Sequence, residues 1–249
     1  MLPEGAHVKS VYLDQKTGVV AALSPSVASK LLIDCSTIDT AAYWQVKQEL
    51  VAASPGVSLY DAPVSGGVLG AEKGTIAFFL GCASSDPNIH RLSALAQTMG
   101  KKVVPCGGPS LGLAVKLCNN YLSGIITIAC SEAMDMGMRS GIDPRVLASV
   151  FNAGTAQNAI CDTYNPVPGL CPEAPSSHGY EGGFRVQLMR KDLGLAVDMA
   201  RTVGARNILG ATGLGVYAAA SEAADCKGLD SRVVYRYLGG REDWHGAEH

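Results

Sequence analysis

The chain of 249 residues is long enough for one large domain or two modest ones. Hydrophobic residues make up 47% of it and charged residues 17%, so the chain can bury a sizeable core, and long disordered stretches are not expected. The net charge of −2, with both signs mixed, excludes the strongly basic surface that is typical of nucleic-acid-binding proteins.

Short strands alternate with helices over the first hundred residues. Short apolar runs that end in polar residues are typical of buried parallel strands. The predicted elements are a helix over 8–13, a strand over 31–36, a helix over 37–53, strands over 57–64 and 75–81, a helix over 86–100 and a strand over 102–106. We expect the second helix to be capped by Ser36, Thr37 or Asp39, and Pro87 to lie in the first turn of the third. This order predicts an α/β region.

The pattern changes after Gly107-Gly108-Pro109, and the rest of the chain shows no convincing strand. The predicted helices cover 112–141, a segment that begins at Asp143-Pro144, 184–203, 209–228 and 232–238. A Pro- and Gly-rich segment, 162–183, predicts a long loop, and such loops are usually functional or mobile. We therefore expect two domains, residues 1–109 and residues 110–249, with α/β followed by all-α structure.

The eight cysteines form no CxxC pair, and most lie in apolar runs. This pattern favours free thiols in a reducing compartment over disulfides. The five histidines, 7, 90, 178, 245 and 249, show no spacing typical of metal ligands, so we expect no metal site. No apolar run reaches the roughly 18 residues of a membrane span, so we expect no membrane association.

One lysine interrupts an apolar helical segment, residues 112–120 (GLAVKLCNN). A buried lysine costs desolvation energy unless it has a partner or a task, and burial lowers its pKa toward the range that is useful for proton transfer. Asn120 follows Lys116 by four residues and therefore shares its helix face. The alternatives are a lysine that extends its charge to solvent and a capping or surface asparagine.

Two further segments follow predicted strands. In Ser65-Gly66-Gly67 the glycines leave backbone N–H groups accessible, and these can bind a carboxylate together with the serine hydroxyl. The alternative is an ordinary tight turn. Thr37 lies at the carboxyl end of a strand, where cofactors bind in open α/β sheets.

Six short segments in order resemble the β-hydroxyacid dehydrogenase family, and most closely its 3-hydroxyisobutyrate branch. They are LLIDCSTID (31–39), DAPVSGG (61–67), GLAVKLCNN (112–120), DTYNPVPG (162–169), GGF (182–184) and LMRKDL (188–193). The resemblance covers nearly the whole chain. It implies an incomplete Rossmann-type parallel sheet that a long helix joins to a C-terminal helical domain.

The resemblance also implies an activity, the NAD-dependent oxidation of 3-hydroxyisobutyrate to methylmalonate semialdehyde in valine catabolism, with NADP not excluded. Lys116 would be the general acid/base, and Ser65, Gly66, Gly67 and Asn120 would bind the substrate. The residues that would bind the cofactor are Leu2, Pro3, Thr37, Lys191 and Asp192. The resemblance further implies a homo-oligomer formed through the helical domain and a location in the mitochondrial matrix. No Arg-rich presequence is seen in the sequence, and the cytoplasm is the alternative location.

The chain departs from the family at the Gly-rich loop that binds the cofactor pyrophosphate. No G-x-G-x-x-G occurs in the sequence, and family members carry this loop and several elements before the segment that matches Met1-Leu2-Pro3. Met1 is then an internal methionine or the start of a short isoform. We expect the 249 residues alone to bind NAD weakly.

Two alternatives to the proposed activity stay open. One is a non-catalytic remnant that serves as a dimerisation or binding module. The other is a reductase for tartronate semialdehyde or glyoxylate. Residues 154–159 (GTAQNA) also differ from the bulkier or basic residues of many relatives, so the substrate is less closely defined than the reaction type.

Overall fold

The computed structural model describes residues 1–23 and 29–244. The chain divides into two compact units, residues 1–119 and residues 120 onward. The elements of the first unit are α1 (Gly5–Leu13), a 3-10 turn (Val19–Ala22), β1 (Lys30–Asp34), α2 (Thr40–Ala53), β2 (Val57–Asp61), β3 (Val64–Ser65), α3 (Gly67–Glu72), β4 (Ile76–Leu80), α4 (Ile89–Gln97) and β5 (Gly100–Pro105). His245 and His249 lie outside the described residues.

A long helix, α5 (Leu111–Arg139), begins in the first unit and continues into the second. The later elements are α6 (Pro144–Ala153), α7 (Ala159–Thr163), a 3-10 turn (Pro175–His178), α8 (Val186–Thr202), α9 (Ile208–Glu222), a second 3-10 turn (Ser231–Val233) and α10 (Val234–Tyr237). The predicted order, α/β followed by helices, is therefore confirmed. The predicted domain boundary near residue 109 stays a prediction.

The strands of the first unit pair mainly in parallel. Strand β1 pairs with β2, with Lys30 opposite Val57 and Asp34 opposite Asp61. Strand β4 pairs in parallel with β5, while the two-residue β3 lies antiparallel to β4. The strands form a first sheet, β1-β2, and a second sheet, β3-β4-β5. The expected Rossmann-type parallel pairing is confirmed, and the short β3–β4 pair is antiparallel.

The predicted strand over 57–64 is two strands, because Pro63 interrupts it. Proline has no N–H to donate to a neighbouring strand. Before it, Ala62 N donates to Asp34 O at 2.8 Å, and after it, Pro63 O accepts from Phe79 N at 2.9 Å. The chain thereby leaves the β1 edge and joins β4, so the Ser65-Gly66-Gly67 segment follows a strand of the second sheet.

Two helices begin later than predicted, and in both cases an aspartate accounts for the start. Asp39 caps α2 by accepting from Ala42 N at 2.7 Å, so α2 begins at Thr40 and not at residue 37. Asp86 accepts from Asn88 N at 2.8 Å and makes a separate turn. The prediction that Pro87 lies in the first turn of α4 is therefore wrong, because α4 begins at Ile89.

Two hydrophobic clusters fill each unit. In the first unit, one cluster joins α1, α2 and β2 and the other joins β4 and α4; their members include Val8, Val46, Leu50, Leu59, Phe78, Leu80 and Leu92. In the second unit, α5 packs closely on its neighbours because two glycines leave space. A Cβ on Gly124 would lie 2.7 Å from Leu193 Cδ1 of α8, and one on Gly213 of α9 would lie 2.5 Å from Ile125 Cδ1.

The predicted long loop over 162–183 is held by buried polar groups. Ser176 Oγ donates to Asn165 O at 2.6 Å, and Tyr180 Oη donates to Pro166 O at 2.9 Å. Asn165, Ser176 and Tyr180 are all fully buried or nearly so. The segment also contains the end of α7 and a 3-10 turn, neither of which was predicted because the many Pro and Gly residues indicated a loop.

Helix α5 is long and apolar enough to cross a membrane by length and composition alone. The 18-residue window that passes this test is 39% buried. This test averages over a window and tolerates isolated polar residues, so it does not contradict the statement that no uninterrupted apolar run is long enough, and the expectation of no membrane association stays a prediction. One such helix is weak support for a membrane span, since core helices of soluble proteins pass the same test.

Candidate active site

A buried aspartate, Asp61, holds the first turn of α5. Its carboxylate accepts from Ser110 N and from Leu113 N, each at 2.9 Å. These are N–H groups that a helix leaves without intrahelical partners. Burial raises the pKa of the Asp61 carboxyl, and the two backbone hydrogen bonds oppose that rise. The DAPVSGG segment is therefore tied directly to the helix that carries the candidate lysine.

Lys116 lies on α5, five residues after the helix begins. It is only 8% exposed, and its neighbours on the helix, Leu113 and Leu117, are each 1% exposed. Leu113 belongs to the cluster that joins α1, α2 and β2. Burial to this extent favours a lysine with a task over one that extends its charge into solvent.

Ser65-Gly66-Gly67 turns from β3 into α3. Gly66 has φ 142° and Gly67 has φ 64°, both in the left-handed region that favours glycine. A Cβ on Gly66 would lie 2.8 Å from Ile76 Cγ2, whereas a Cβ on Gly67 would meet nothing within 4 Å. The space on the Cβ side of Gly67 is therefore open, and the substrate-binding roles of Ser65, Gly66 and Gly67 stay predictions.

The predicted cofactor-binding residues Leu2 and Pro3 precede β1 in the sequence, and Thr37 follows it. The structure brings these two segments together. Leu2 N donates to Ser36 Oγ at 2.8 Å, and Ser36 Oγ donates to Asp34 Oδ1 at 2.6 Å. Asp34 is the last residue of β1. The first residues of the chain are thus fixed at the carboxyl end of that strand, next to Thr37.

In the second unit, α5 and α8 bring three more predicted residues together. Asn120 Nδ2 donates to Asp192 Oδ2 at 2.5 Å, and Lys191 Nζ lies 3.0 Å from Asp192 Oδ1. Asn120 is 5% exposed and Asp192 is 1% exposed. Lys191-Asp192 is therefore not an exposed pair of surface charges, and its carboxylate contacts a residue one helical turn from Lys116.

The comparisons with known proteins identify the family of the chain. A family model described as "NAD-binding of NADP-dependent 3-hydroxyisobutyrate dehydrogenase" matches residues 111–238, and one described as "NAD binding domain of 6-phosphogluconate dehydrogenase" matches residues 1–108. The probable mitochondrial 3-hydroxyisobutyrate dehydrogenase of Dictyostelium discoideum is 41% identical over 238 residues, which are 96% of this chain and 71% of the relative. The chain belongs to the 3-hydroxyisobutyrate dehydrogenase family.

A solved structure and a second relative extend the comparison within this family. The structure described as Mycobacterium tuberculosis 3-hydroxyisobutyrate dehydrogenase with L-serine matches with a TM-score of 0.82 and 34% identity, over 96% of this chain and 77% of that one. The NAD-dependent L-serine dehydrogenase of Pseudomonas aeruginosa is 35% identical over 87% of this chain and 70% of its own length. The family is one of NAD(P)-dependent 3-hydroxyacid dehydrogenases, so the predicted class of oxidoreductase is confirmed.

Each unit by itself offers groups of the kind that a dinucleotide binds. In the first unit, Thr37 follows the carboxyl end of the parallel strand β1, where cofactors bind in open α/β sheets. In the second unit, Lys191 presents a partly exposed ammonium, which is a hydrogen-bond donor. The pyrophosphate is held in such folds by a G-x-G-x-x-G loop, and the 249 residues contain none. The cofactor roles of Leu2, Pro3, Thr37, Lys191 and Asp192 stay predictions.

Sequence reasoning missed Asp61 as a functional residue. The sequence did contain a signal for Asp61, because a buried aspartate at the end of an apolar strand is expected to have a hydrogen-bonding or charged partner. Among residues 1–23 and 29–244, no group of three or more His, Cys, Asp or Glu side chains is placed to hold a metal ion. The expectation of a metal-free site stays a prediction.

Proposed function

We propose that the protein oxidises 3-hydroxyisobutyrate to methylmalonate semialdehyde with NAD, a step of valine breakdown. The observation that carries this proposal is the buried lysine of α5, one helical turn before an asparagine whose amide is held by Asp192. The family match supports the reaction class, and the DTYNPVPG and KLCNN segments support the 3-hydroxyisobutyrate branch.

Each residue has one role in this proposal. NAD, held by Leu2, Pro3, Thr37, Lys191 and Asp192, would supply the hydride acceptor for the oxidation of the alcohol carbon. Lys116 takes the proton from the substrate hydroxyl, which a lysine in a desolvated site can do at neutral pH. Asn120 hydrogen-bonds the substrate and orients the lysine, with its own orientation maintained by Asp192.

The substrate carboxylate binds at Ser65-Gly66-Gly67 in this proposal. A small hydroxyacid needs such a site, because its charge must be compensated when it is buried. The open space beside Gly67 and the left-handed backbone of both glycines support this role. Lys191 and Asp192 support the nicotinamide end of the cofactor.

L-serine is the second candidate substrate. A relative named NAD-dependent L-serine dehydrogenase is 35% identical to the chain. L-Serine also carries a primary alcohol at the carbon β to a carboxylate, so it offers the same two groups to Lys116 and to Ser65-Gly66-Gly67.

Steady-state kinetics with matched substrates test the proposal. We expect kcat/KM to be highest for 3-hydroxyisobutyrate, lower for L-serine, and at least about a hundredfold lower for 2-methylpropan-1-ol, which lacks the carboxylate. A higher kcat/KM for L-serine than for 3-hydroxyisobutyrate would show that L-serine is the preferred substrate. Equal turnover of the alcohol would contradict the carboxylate site, and reduction of tartronate semialdehyde or glyoxylate as the favoured reaction would select the reductase alternative.

Calorimetric titration of the 249-residue chain with NAD and with NADP tests the cofactor separately. Binding of either dinucleotide supports an active enzyme, and the two dissociation constants show which cofactor is preferred. If a folded chain binds neither dinucleotide, the result supports the non-catalytic module.

Light scattering on the same preparation tests the proposed homo-oligomer. Exposed apolar side chains on α5 and α6 support this proposal, among them Met136, Val146 and Val150.

The proposed compartment is the mitochondrial matrix. The support is the mitochondrial name of the Dictyostelium relative, while the Pseudomonas relatives are bacterial. Fractionation of the source cells, with a matrix marker and a cytosolic marker as controls, decides between the matrix and the cytoplasm.

A further inference from the structure

Two cysteine side chains meet inside the second unit. Cys130 of α5 and Cys161 of α7 have their sulfur atoms 3.2 Å apart. Both residues are buried, at 5% and 6% exposure. They lie 31 residues apart in the sequence and are not part of a CxxC motif, so the sequence alone does not indicate the pair.

The surroundings make the two thiols unequal. Asn158 Nδ2 donates to Cys161 Sγ at 3.1 Å, while Asn158 Oδ1 accepts from Cys161 N at 3.0 Å. The hydrogen bond from Asn158 stabilises a thiolate on Cys161, and a thiolate can only accept, so Cys130 is the donor when Cys161 is ionised. These hydrogen bonds, with the one from Cys130 the larger, lower the pKa of Cys161 to about 7, and the same contact raises the pKa of Cys130.

We propose that Cys130 and Cys161 are a redox-active dithiol that a hydroperoxide oxidises to a disulfide between α5 and α7. The sulfur atoms need to approach by about 1.2 Å to reach the bond length of a disulfide. Helix α7 has five residues and α5 has 29, so fewer intrahelical hydrogen bonds oppose this adjustment in α7 than in α5.

The reaction has two steps. The Cys161 thiolate attacks one oxygen of hydrogen peroxide, the O–O bond breaks, and the leaving hydroxide takes a proton to become water, which leaves Cys161 as a sulfenic acid. The Cys130 sulfur then attacks the Cys161 sulfur, the S–O bond breaks, and the departing hydroxide leaves as water with the proton of Cys130. The two thiols supply the two electrons that reduce one peroxide to two waters.

The other groups near Cys161 set the pH dependence. Asp162 follows it on α7 and opposes the thiolate by charge repulsion, as does burial, while Cys130 faces it from α5. Cys171, in the loop, donates to Asp162 O at 3.5 Å and is the third thiol of the region. For a thiol with a pKa of about 7, the oxidation rate rises about tenfold from pH 6 to pH 8 and then levels off.

Peptide mapping of the reduced chain after exposure to hydrogen peroxide tests the proposal. We expect a Cys130–Cys161 cross-linked peptide that dithiothreitol reverses, formed at least about tenfold faster than oxidation of Cys226. Cys226 is the matched control, because it is fully buried and burial raises its pKa to about 11. The Cys226→Ala variant should form the cross-link at the wild-type rate.

The single variants separate the two sulfur roles. Cys130→Ala should form a sulfenic acid on Cys161 that dimedone traps, more slowly than wild type forms the cross-link, because the hydrogen bond from Cys130 that lowers the Cys161 pKa is lost. Cys161→Ala should abolish both the cross-link and the trapped adduct. A circular dichroism spectrum of each variant establishes that it is folded. A cross-link from Cys161 to Cys171, irreversible oxidation of wild-type Cys161 with Cys130 still reduced, or no oxidation ahead of Cys226 would each overturn the proposal.

Discussion

The carboxylate of Asp61 and the backbone N–H of Leu113 form a 2.9 Å hydrogen bond between residues 52 positions apart. A second bond from Ser110 N uses the other carboxylate oxygen. One buried side chain therefore joins the DAPVSGG segment to the first turn of α5. The position of Lys116 relative to Ser65-Gly66-Gly67 depends on this contact, since each follows within six residues of the residues that the contact joins.

We expect Asp61→Asn to lower both stability and turnover. The amide keeps one acceptor and places a donor against the other N–H group, so the free energy of unfolding should fall by about 1–3 kcal/mol. If Asp61 positions Lys116, the fold-decrease in kcat should be larger than the fold-change in the KM for NAD. Urea unfolding and steady-state kinetics measure the two effects. The control is Asp143→Asn, at the N-cap of α6, which should leave kcat unchanged; equal kcat in both variants would show that Asp61 only stabilises the fold.

Lys116→Ala should lower kcat by about 10²–10⁴-fold, the usual contribution of a general acid/base. Cofactor affinity should change little, because the proposed role is toward the substrate oxygen. The control is Lys101→Ala, since Lys101 is exposed on β5. Turnover within about threefold of wild type would contradict the proton-transfer role.

Ser65→Ala should raise the KM for the hydroxyacid by about tenfold or more, through loss of one charge-assisted donor. Gly67→Ala should do the same by filling the open space, although its φ of 64° also strains the substitution. Gly66→Val is a poorer test, because a side chain there would collide with Ile76 and disturb the sheet. In both useful variants the KM for NAD should stay within about twofold, and the preference for acid over alcohol should narrow. If the preference for the hydroxyacid over the alcohol were unchanged, Ser65-Gly66-Gly67 would be only a turn with no role in binding the substrate carboxylate.

The contact between Asn120 and Asp192 can be tested by exchanging the two groups. Asn120→Asp alone places two carboxylates in a buried contact and should destabilise the fold by about 3–5 kcal/mol, comparable to an uncompensated buried charge. Adding Asp192→Asn restores one amide and one carboxylate, so the double variant should recover part of that loss. A double-mutant cycle from urea unfolding should give a coupling of at least about 0.5 kcal/mol. Strict additivity would show that the hydrogen bond contributes nothing.

Asp143 gives a pH-dependent prediction. Its hydrogen bonds from the Arg145 side chain and backbone lower its pKa from 3.8 to about 2. Since the folded pKa lies below the unfolded value, the charged group stabilises the fold above about pH 4, and that stabilisation is lost as the pH falls toward 2. The melting temperature of Asp143→Asn should therefore lie below that of wild type at neutral pH, and the gap should close between pH 4 and pH 2. A gap that is constant with pH would show that the charge has no role.

The long α5, the order of strands and helices and the presence of Lys116 and Asn120 on one helix face could all be predicted from the sequence. Each depends on periodicity and spacing over a few residues, and a helix puts residues four apart on one face whatever surrounds it. The short motifs, taken in order, were enough to indicate the family, because they carry the residues that its chemistry requires.

Several other features depend on partners that no local pattern identifies. Asp61 meets Leu113 across 52 positions, Asn120 meets Asp192 across 72, and Cys130 meets Cys161 across 31. The sequence by itself determined which side chains were available and which helix would carry them. Only the tertiary structure decided which buried carboxylate, amide or thiol each would face, because a buried polar group takes whatever partner the packing of distant segments brings within hydrogen-bonding distance.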